Sequence, residues 1–92
     1  MEKARVRIVV SGIVQGVGYR SFALRHGNSL NLSGYVRNTP EGEVELEAEG
    51  DRGDVERFIF LLREGPRAAQ VSDVRVEWKE HIGEARGFRV AF

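Results

Sequence analysis

The segment Val14-Gln15-Gly16-Val17-Gly18-Tyr19-Arg20 holds the residue types in this chain best suited to chemistry. Gly16 and Gly18 lack a Cβ, so the backbone can turn sharply there and approach a ligand closely. Successive amides between Gln15 and Tyr19 can then converge on an anion as a nest. A helix starting at the end of this loop adds free N–H groups and a partial positive charge. Arg20 contributes a permanent cation whose planar fork matches two phosphate oxygens. A cation in the first turn of a helix is unfavourable by about 0.3–1 kcal/mol, so a bound anion explains Arg20 better than helix stability does. On its own a Gly-x-Gly loop is as compatible with a tight turn as with an anion site. Two familiar phosphate loops are excluded. The dinucleotide fingerprint needs a third glycine where Ser21 stands, and the nucleotide P-loop needs a Gly-Lys-Ser/Thr ending that is absent.

The elements that must position this loop are legible in the hydrophobic pattern. Val6, Ile8 and Val10 alternate with polar or second-face residues, which predicts a half-buried strand from Arg5 to Val10 leading into the loop. From Arg20 to about Leu30, Phe22, Ala23, His26 and Leu30 fall at helical spacing. Gly27 weakens that helix by about 1 kcal/mol relative to alanine, and Asn31 is a suitable left-handed stop. Leu32–Asn38 and Glu43–Glu49 are predicted to pair as a hairpin through Thr39-Pro40-Glu41-Gly42, a proline and a glycine where a tight turn needs them. Val44, Leu46 and Ala48 alternate with Glu43, Glu45, Glu47 and Glu49, so one face of the hairpin is expected to be wet. Those glutamates read as a solvated face paired with Arg5, Arg7, Arg37 or Arg75.

Asp51 or Asp54 is expected to cap a second helix. Its apolar stripe is Val55, Phe58, Ile59 and Leu62, with Phe60 and Leu61 off the stripe, and Gly65-Pro66 stops it. Val74, Val76 and Trp78 mark a further amphipathic strand, and Phe88–Phe92 a short last one. The order is β-α-β-β-α-β with a brief extra strand. This predicts an α+β, two-layer ferredoxin-like sandwich: an antiparallel sheet with both helices on one face. Fold alone carries no function. On the strand ending at Asn38, Gly34, Val36 and Asn38 share the apolar face, which brings Asn38 out at the sheet edge beside the start of the first helix.

Composition narrows the function classes. The 92 residues suit one domain, 1–92, with one core. Fourteen basic and fourteen acidic side chains cancel, which argues against a nucleic-acid partner, since such binding rests on an excess of Lys and Arg. The absence of cysteine removes disulfides, thiolate metal sites and cysteine nucleophiles. His26 and His81 stand far apart in sequence with no ligand-like companion, so no metal site and no cofactor is expected. No stretch approaches the ~20 apolar residues of a membrane span, nor does the N-terminus read as a signal peptide. The expectation is a cytoplasmic protein with no membrane association and no obligate protein partner.

Three stretches together resemble the acylphosphatase family: Gly12-Ile-Val-Gln-Gly-Val-Gly-Tyr-Arg20, Leu30-Asn-Leu-Ser-Gly-Tyr-Val-Arg-Asn38 and Gly42-Glu-Val-Glu45. Gly50, the Gly65-Pro66 pair with Ala69 and Val71, and the terminal Gly87-Phe88 fit the same pattern, so the resemblance spans nearly the whole chain. Tyr19 stands where phenylalanine is common in that family, and Asn31 where glycine is usual. The resemblance implies a ferredoxin-like fold and hydrolysis of the carboxyl–phosphate bond of acyl phosphates. It implies that Arg20 binds the phosphoryl group, with Gln15, Gly16, Val17, Gly18 and Tyr19 completing the cradle through their amides. Asn38 would orient the attacking water. Inorganic phosphate would be product and competitive inhibitor, and no metal would take part.

Two other function classes stand beside this one. A non-catalytic anion-binding module would keep Arg20 without turnover. An acylphosphatase-like domain serving carbamoyl-phosphate chemistry in a larger maturation enzyme would need further segments; the chain ends at Phe92 without a zinc-binding extension, so a free-standing enzyme is the expectation. RNA binding through the sheet is disfavoured by an acidic face without stacking aromatics.

Overall fold

Each alternating segment becomes a strand and each segment of helical spacing a helix. The computed structural model describes residues 2–83 and 87–92. In chain order it contains β1 (Lys3–Ile13), α1 (Tyr19–Ser29), β2 (Ser33–Asn38), β3 (Val44–Asp51), α2 (Arg52–Glu64), β4 (Gln70–Lys79) and β5 (Phe88–Val90). The strands form one five-stranded sheet in the order β4-β1-β3-β2-β5. β1 lies antiparallel to both β3 and β4, and β2 lies antiparallel to β3. The expected antiparallel sheet needs one correction: β5 joins β2 in parallel, so the sheet is mixed. A three-residue strand at the end of a chain carries no directional pattern of its own, and its pairing was therefore not legible.

Val6, Ile8, Val10, Val36, Val44, Leu46 and Ala48 on the sheet meet Ala23, Val55, Phe58 and Leu62 on the helices, and all are fully buried. Both helices therefore cover the same face. Burying each large aliphatic or aromatic side chain contributes roughly 1.5–3 kcal/mol. α1 lies over β2 and β5, while α2 lies over β1, β3 and β4. Gly27 permits the first of these contacts. A Cβ there would stand 2.6 Å from the Phe88 ring, so the glycine that weakens α1 locally is what lets β5 close against it. Phe88 in turn meets Phe58 of α2 edge-on, with ring centroids 5.3 Å apart.

The open face of the sheet departs from expectation. The four glutamates do pair with arginines, Arg75 with Glu43, Arg7 and Arg37 with Glu45, and Arg5 with both Glu47 and Glu49. Yet Glu45 and Glu49 are only 7% and 5% exposed, so the middle of this face is covered by interlocked charges, while its β4 side stays open to water. Glu49 also accepts the N–H groups of Ile82 at 2.9 Å and Gly83 at 2.7 Å, which pins the segment after β4 across the sheet. His81 lies at 3.2 Å from the same carboxylate.

Helix boundaries came close to the reading from spacing. α1 begins at Tyr19, one residue early, and passes through Leu30 into Asn31, whose φ of 58° is the expected left-handed stop. α2 ends at Gly65 with φ of 70°, again as expected. Its capping does not follow the prediction. Asp51 occupies the N-cap position but makes no side-chain cap, because its carboxylate instead takes Lys3 Nζ at 2.6 Å. Phe60 is half exposed, as its place off the stripe predicted. No helix among the described residues is long and apolar enough to cross a membrane.

Candidate active site

β1 carries a bulge between Ser11 and Gly12, after which Gly12 and Ile13 still pair with Val71 and Gln70 of β4 before the chain runs into the glycine loop. Gly16 and Gly18 have φ of 74° and 82°, the left-handed region that an L side chain enters only with strain. Gly18 is the N-cap of α1 and can offer no side-chain acceptor to the first turn, and that turn contains no acidic residue. Among the described residues, no loop or cap hydrogen bond uses the N–H groups of residues 15 to 21. The start of α1 therefore presents its donors and its positive end uncompensated. Arg20, in the first turn, is half-buried and forms no ion pair with the described carboxylates.

Two of the predicted cradle residues have side chains committed elsewhere. Tyr19 is 1% exposed, and its hydroxyl donates to the Leu62 carbonyl at 2.7 Å, satisfying an acceptor in the last turn of α2. Burial pushes its phenol well above the ordinary range, and that burial with the bond to Leu62 leaves only its backbone N–H for a ligand. Gln15 points its amide across to the β2–β3 turn. Its Nε2 donates to the carbonyls of Thr39 at 2.9 Å and Glu43 at 2.8 Å. The turn itself is closed by Gly42 N–H to the Thr39 carbonyl at 3.1 Å and Thr39 N–H to the Glu43 carbonyl at 2.9 Å.

That link brings the glycine loop against the residue that follows Asn38. Asn38 ends β2 opposite Val44, on the same sheet face as buried Val36, as its parity with Gly34 and Val36 predicted. Its Oδ1 is buried and has no hydrogen-bond partner among the described residues. The Gln15 link is the part of the site that sequence reasoning missed. It joins residues 24 and 28 positions apart, and the one signal for it was a long amide side chain within an otherwise small-residue loop.

The nearby carboxylate is already engaged. Glu43 accepts Ser11 Oγ at 2.6 Å and Arg75 at 2.9 Å, and these donors, the serine foremost, hold its carboxyl below the ordinary range. Among the described residues, no three His, Cys, Asp or Glu side chains are grouped to hold a metal ion. A shallow groove of about 260 Å³ runs beside the bulge, lined by Gly12, Ile13, Gln70, Val71 and Ser72, and includes neither Arg20 nor Asn38.

These features define a two-layer ferredoxin-like sandwich in which a glycine-rich strand-to-helix loop, followed by an arginine, is tied to the turn of the central hairpin. A family model for acylphosphatases matches residues 6–90, and the chain belongs to the acylphosphatase family. The acylphosphatase of Pelotomaculum thermopropionicum is 46% identical over 92 residues, covering 100% of each chain. The crystal structure of the acylphosphatase from Bacillus subtilis is similar with a TM-score of 0.94 and 30% identity, covering 97% of this chain and 99% of that one. Full-length HypF, solved in a phosphate- and nucleotide-bound form, is similar with a TM-score of 0.85 and 28% identity over 99% of this chain but 12% of its own. The protein is an acylphosphatase, a hydrolase whose substrates are acyl phosphates.

Proposed function

We propose that Arg20 and the N–H groups of Gln15, Gly16, Val17, Gly18 and Tyr19 hold the phosphoryl group while Asn38 aligns the attacking water. The observation that carries this reading is the orphaned Asn38 Oδ1, buried without a donor among the described residues and one residue from the turn that Gln15 ties to the loop. A buried polar atom left unpaired costs about 1–3 kcal/mol, and a water donating to Oδ1 removes that cost.

An acyl phosphate is a mixed anhydride whose leaving group is a carboxylate, already stable as an anion, so no general acid is needed. The water oxygen forms a bond to phosphorus as the phosphorus–oxygen bond to the carboxylate breaks, and the carboxylate departs with the electron pair. Phosphoryl transfer then asks for stabilised charge on the equatorial oxygens and for an in-line nucleophile. Arg20 and the loop amides supply the first, and Asn38 supplies the second. Asn38 cannot serve as a base at neutral pH. The β3 glutamates project from the opposite sheet face and are held by arginines, so the proton of the water passes to a phosphoryl oxygen of the substrate.

Inorganic phosphate fits the same cradle and inhibits competitively. Residues 1–92 act in this scheme as one catalytic domain without a metal, and its address is the cytoplasm, which cell fractionation tests. Benzoyl phosphate hydrolysis by two variants tests the residue roles. Arg20→Ala loses turnover and phosphate inhibition together. Asn38→Ala keeps phosphate inhibition and loses turnover by about 10²–10³-fold, the scale of one removed transition-state donor. Wild-type turnover by Asn38→Ala refutes its role.

A further inference from the structure

We infer that the Gln15 side chain is a positioning residue: it locks the phosphoryl-binding loop to the hairpin turn and so sets where Asn38 places its water. The inference rests on the roles proposed above for Arg20 and Asn38. The geometry behind it is the double donation from Nε2 to the carbonyls of Thr39, at 2.9 Å, and Glu43, at 2.8 Å. An amide nitrogen has two N–H donors, and this arrangement uses both.

The two acceptors are the carbonyls that close the turn, since Thr39 O also takes Gly42 N–H and Glu43 O also takes Thr39 N–H. A third bond, from Glu43 N–H to Thr39 Oγ1 at 3.1 Å, completes the turn's own network. Gln15 therefore grips a preformed unit and not a loose strand end. On one side of the grip lies the loop with its unengaged amides, which runs into Arg20. On the other side, the peptide that Gln15 holds directly follows Asn38, whose Oδ1 is the buried acceptor without a donor. The two halves of the reaction come from separate segments of the chain, and these bonds, which span 24 and 28 residues, join them. No ionisable group takes part, so the lock holds equally at every pH where the protein is folded.

Displacing a reacting group by about 1 Å costs on the order of 10²-fold in rate, while an anion held by several donors tolerates such a shift. Loss of the lock thus falls on kcat more than on binding. The test is a double-mutant cycle in benzoyl phosphate hydrolysis with inorganic phosphate as the binding probe. Gln15→Ala and the volume-preserving Gln15→Met are each combined with Asn38→Ala, and thermal unfolding verifies that each variant is folded.

The expected result is a kcat loss of about 10–100-fold in either Gln15 variant, with the phosphate inhibition constant within about threefold of wild type. In the Asn38→Ala background the same Gln15 changes have little further effect on kcat, because the group they position is gone. Should Gln15→Ala fail to fold, Gln15→Met carries the reading. Equal kcat losses with and without Asn38, or a phosphate affinity that falls as far as kcat, overturn the inference while leaving the roles of Arg20 and Asn38 intact. A wild-type Asn38→Ala overturns both.

Discussion

At the scale of the residue, the site is built from groups left without partners and neighbours kept busy elsewhere. Among the described residues, Asn38 Oδ1 is buried and unpaired, and the amides around Gly16 and Gly18 are unengaged. The side chains around them are spent on structure. Tyr19 is the clearest case, since its hydroxyl closes the last turn of α2 at Leu62. Tyr19→Phe leaves that carbonyl without its donor and is expected to cost about 1–2 kcal/mol. Differential scanning calorimetry reads this as a lower Tm, and an unchanged Tm contradicts the assignment. Arg20 stands out in the sequence because a cation in the first turn of a helix calls for an anion, and its proposed role rests on that. Asn38 was not legible from its own chemistry. An asparagine before Thr39-Pro40 reads more readily as a turn cap, and the family resemblance and the orphaned oxygen are what support the role proposed for it.

At the scale of the element, β1, β3, α2 and the body of β4 followed from periodicity because each has a long and uniform pattern. Where the pattern was short or interrupted, it carried less. Gly27 read as a flaw in α1, and the structure makes it a contact point for Phe88. A sequence pattern reports what a helix prefers, and this contact depends on what lies across from it. Gly27→Ala gains about 1 kcal/mol of helix propensity but forces the Phe88 ring to move. Overpacking of this kind costs about 1–3 kcal/mol. The net expectation is a destabilised protein with β5 loosened, measured as a lower urea midpoint; a higher midpoint contradicts it. Asp51 taught the complementary lesson, since a residue in the right place for a cap spent its carboxylate on Lys3.

At the scale of the whole molecule, one face of the sheet is closed by helices and the middle of the other is covered by paired charges. Burial works against ionisation of Glu45 and Glu49. Hydrogen bonds from Arg37 and Arg7 to Glu45, and from Ile82, Gly83 and Arg5 to Glu49, outweigh it and hold both carboxyls below their ordinary value. A carboxyl whose folded pKa is depressed stabilises the fold fully above its unfolded value, near 4.5, and the gain is lost as pH falls through the lower folded value. The contribution of these two carboxylates to thermal stability is therefore expected to be constant from neutrality to about pH 5 and to fall below about pH 4. Glu45→Gln should shrink that acid limb; an identical limb contradicts the assignment. The glutamate–arginine pairing was legible from alternation, whereas the depth of its burial was not. That depth depends on the mutual cover of long side chains and on the segment Glu49 pins across the sheet.

The measurement that bears most directly on the mechanism is hydrolysis of benzoyl phosphate by the wild-type protein in excess EDTA, with and without inorganic phosphate. A phosphoryl group held by Arg20 and the loop amides requires turnover that EDTA leaves unchanged and that phosphate inhibits competitively. Turnover abolished by EDTA and restored by a divalent cation would contradict it.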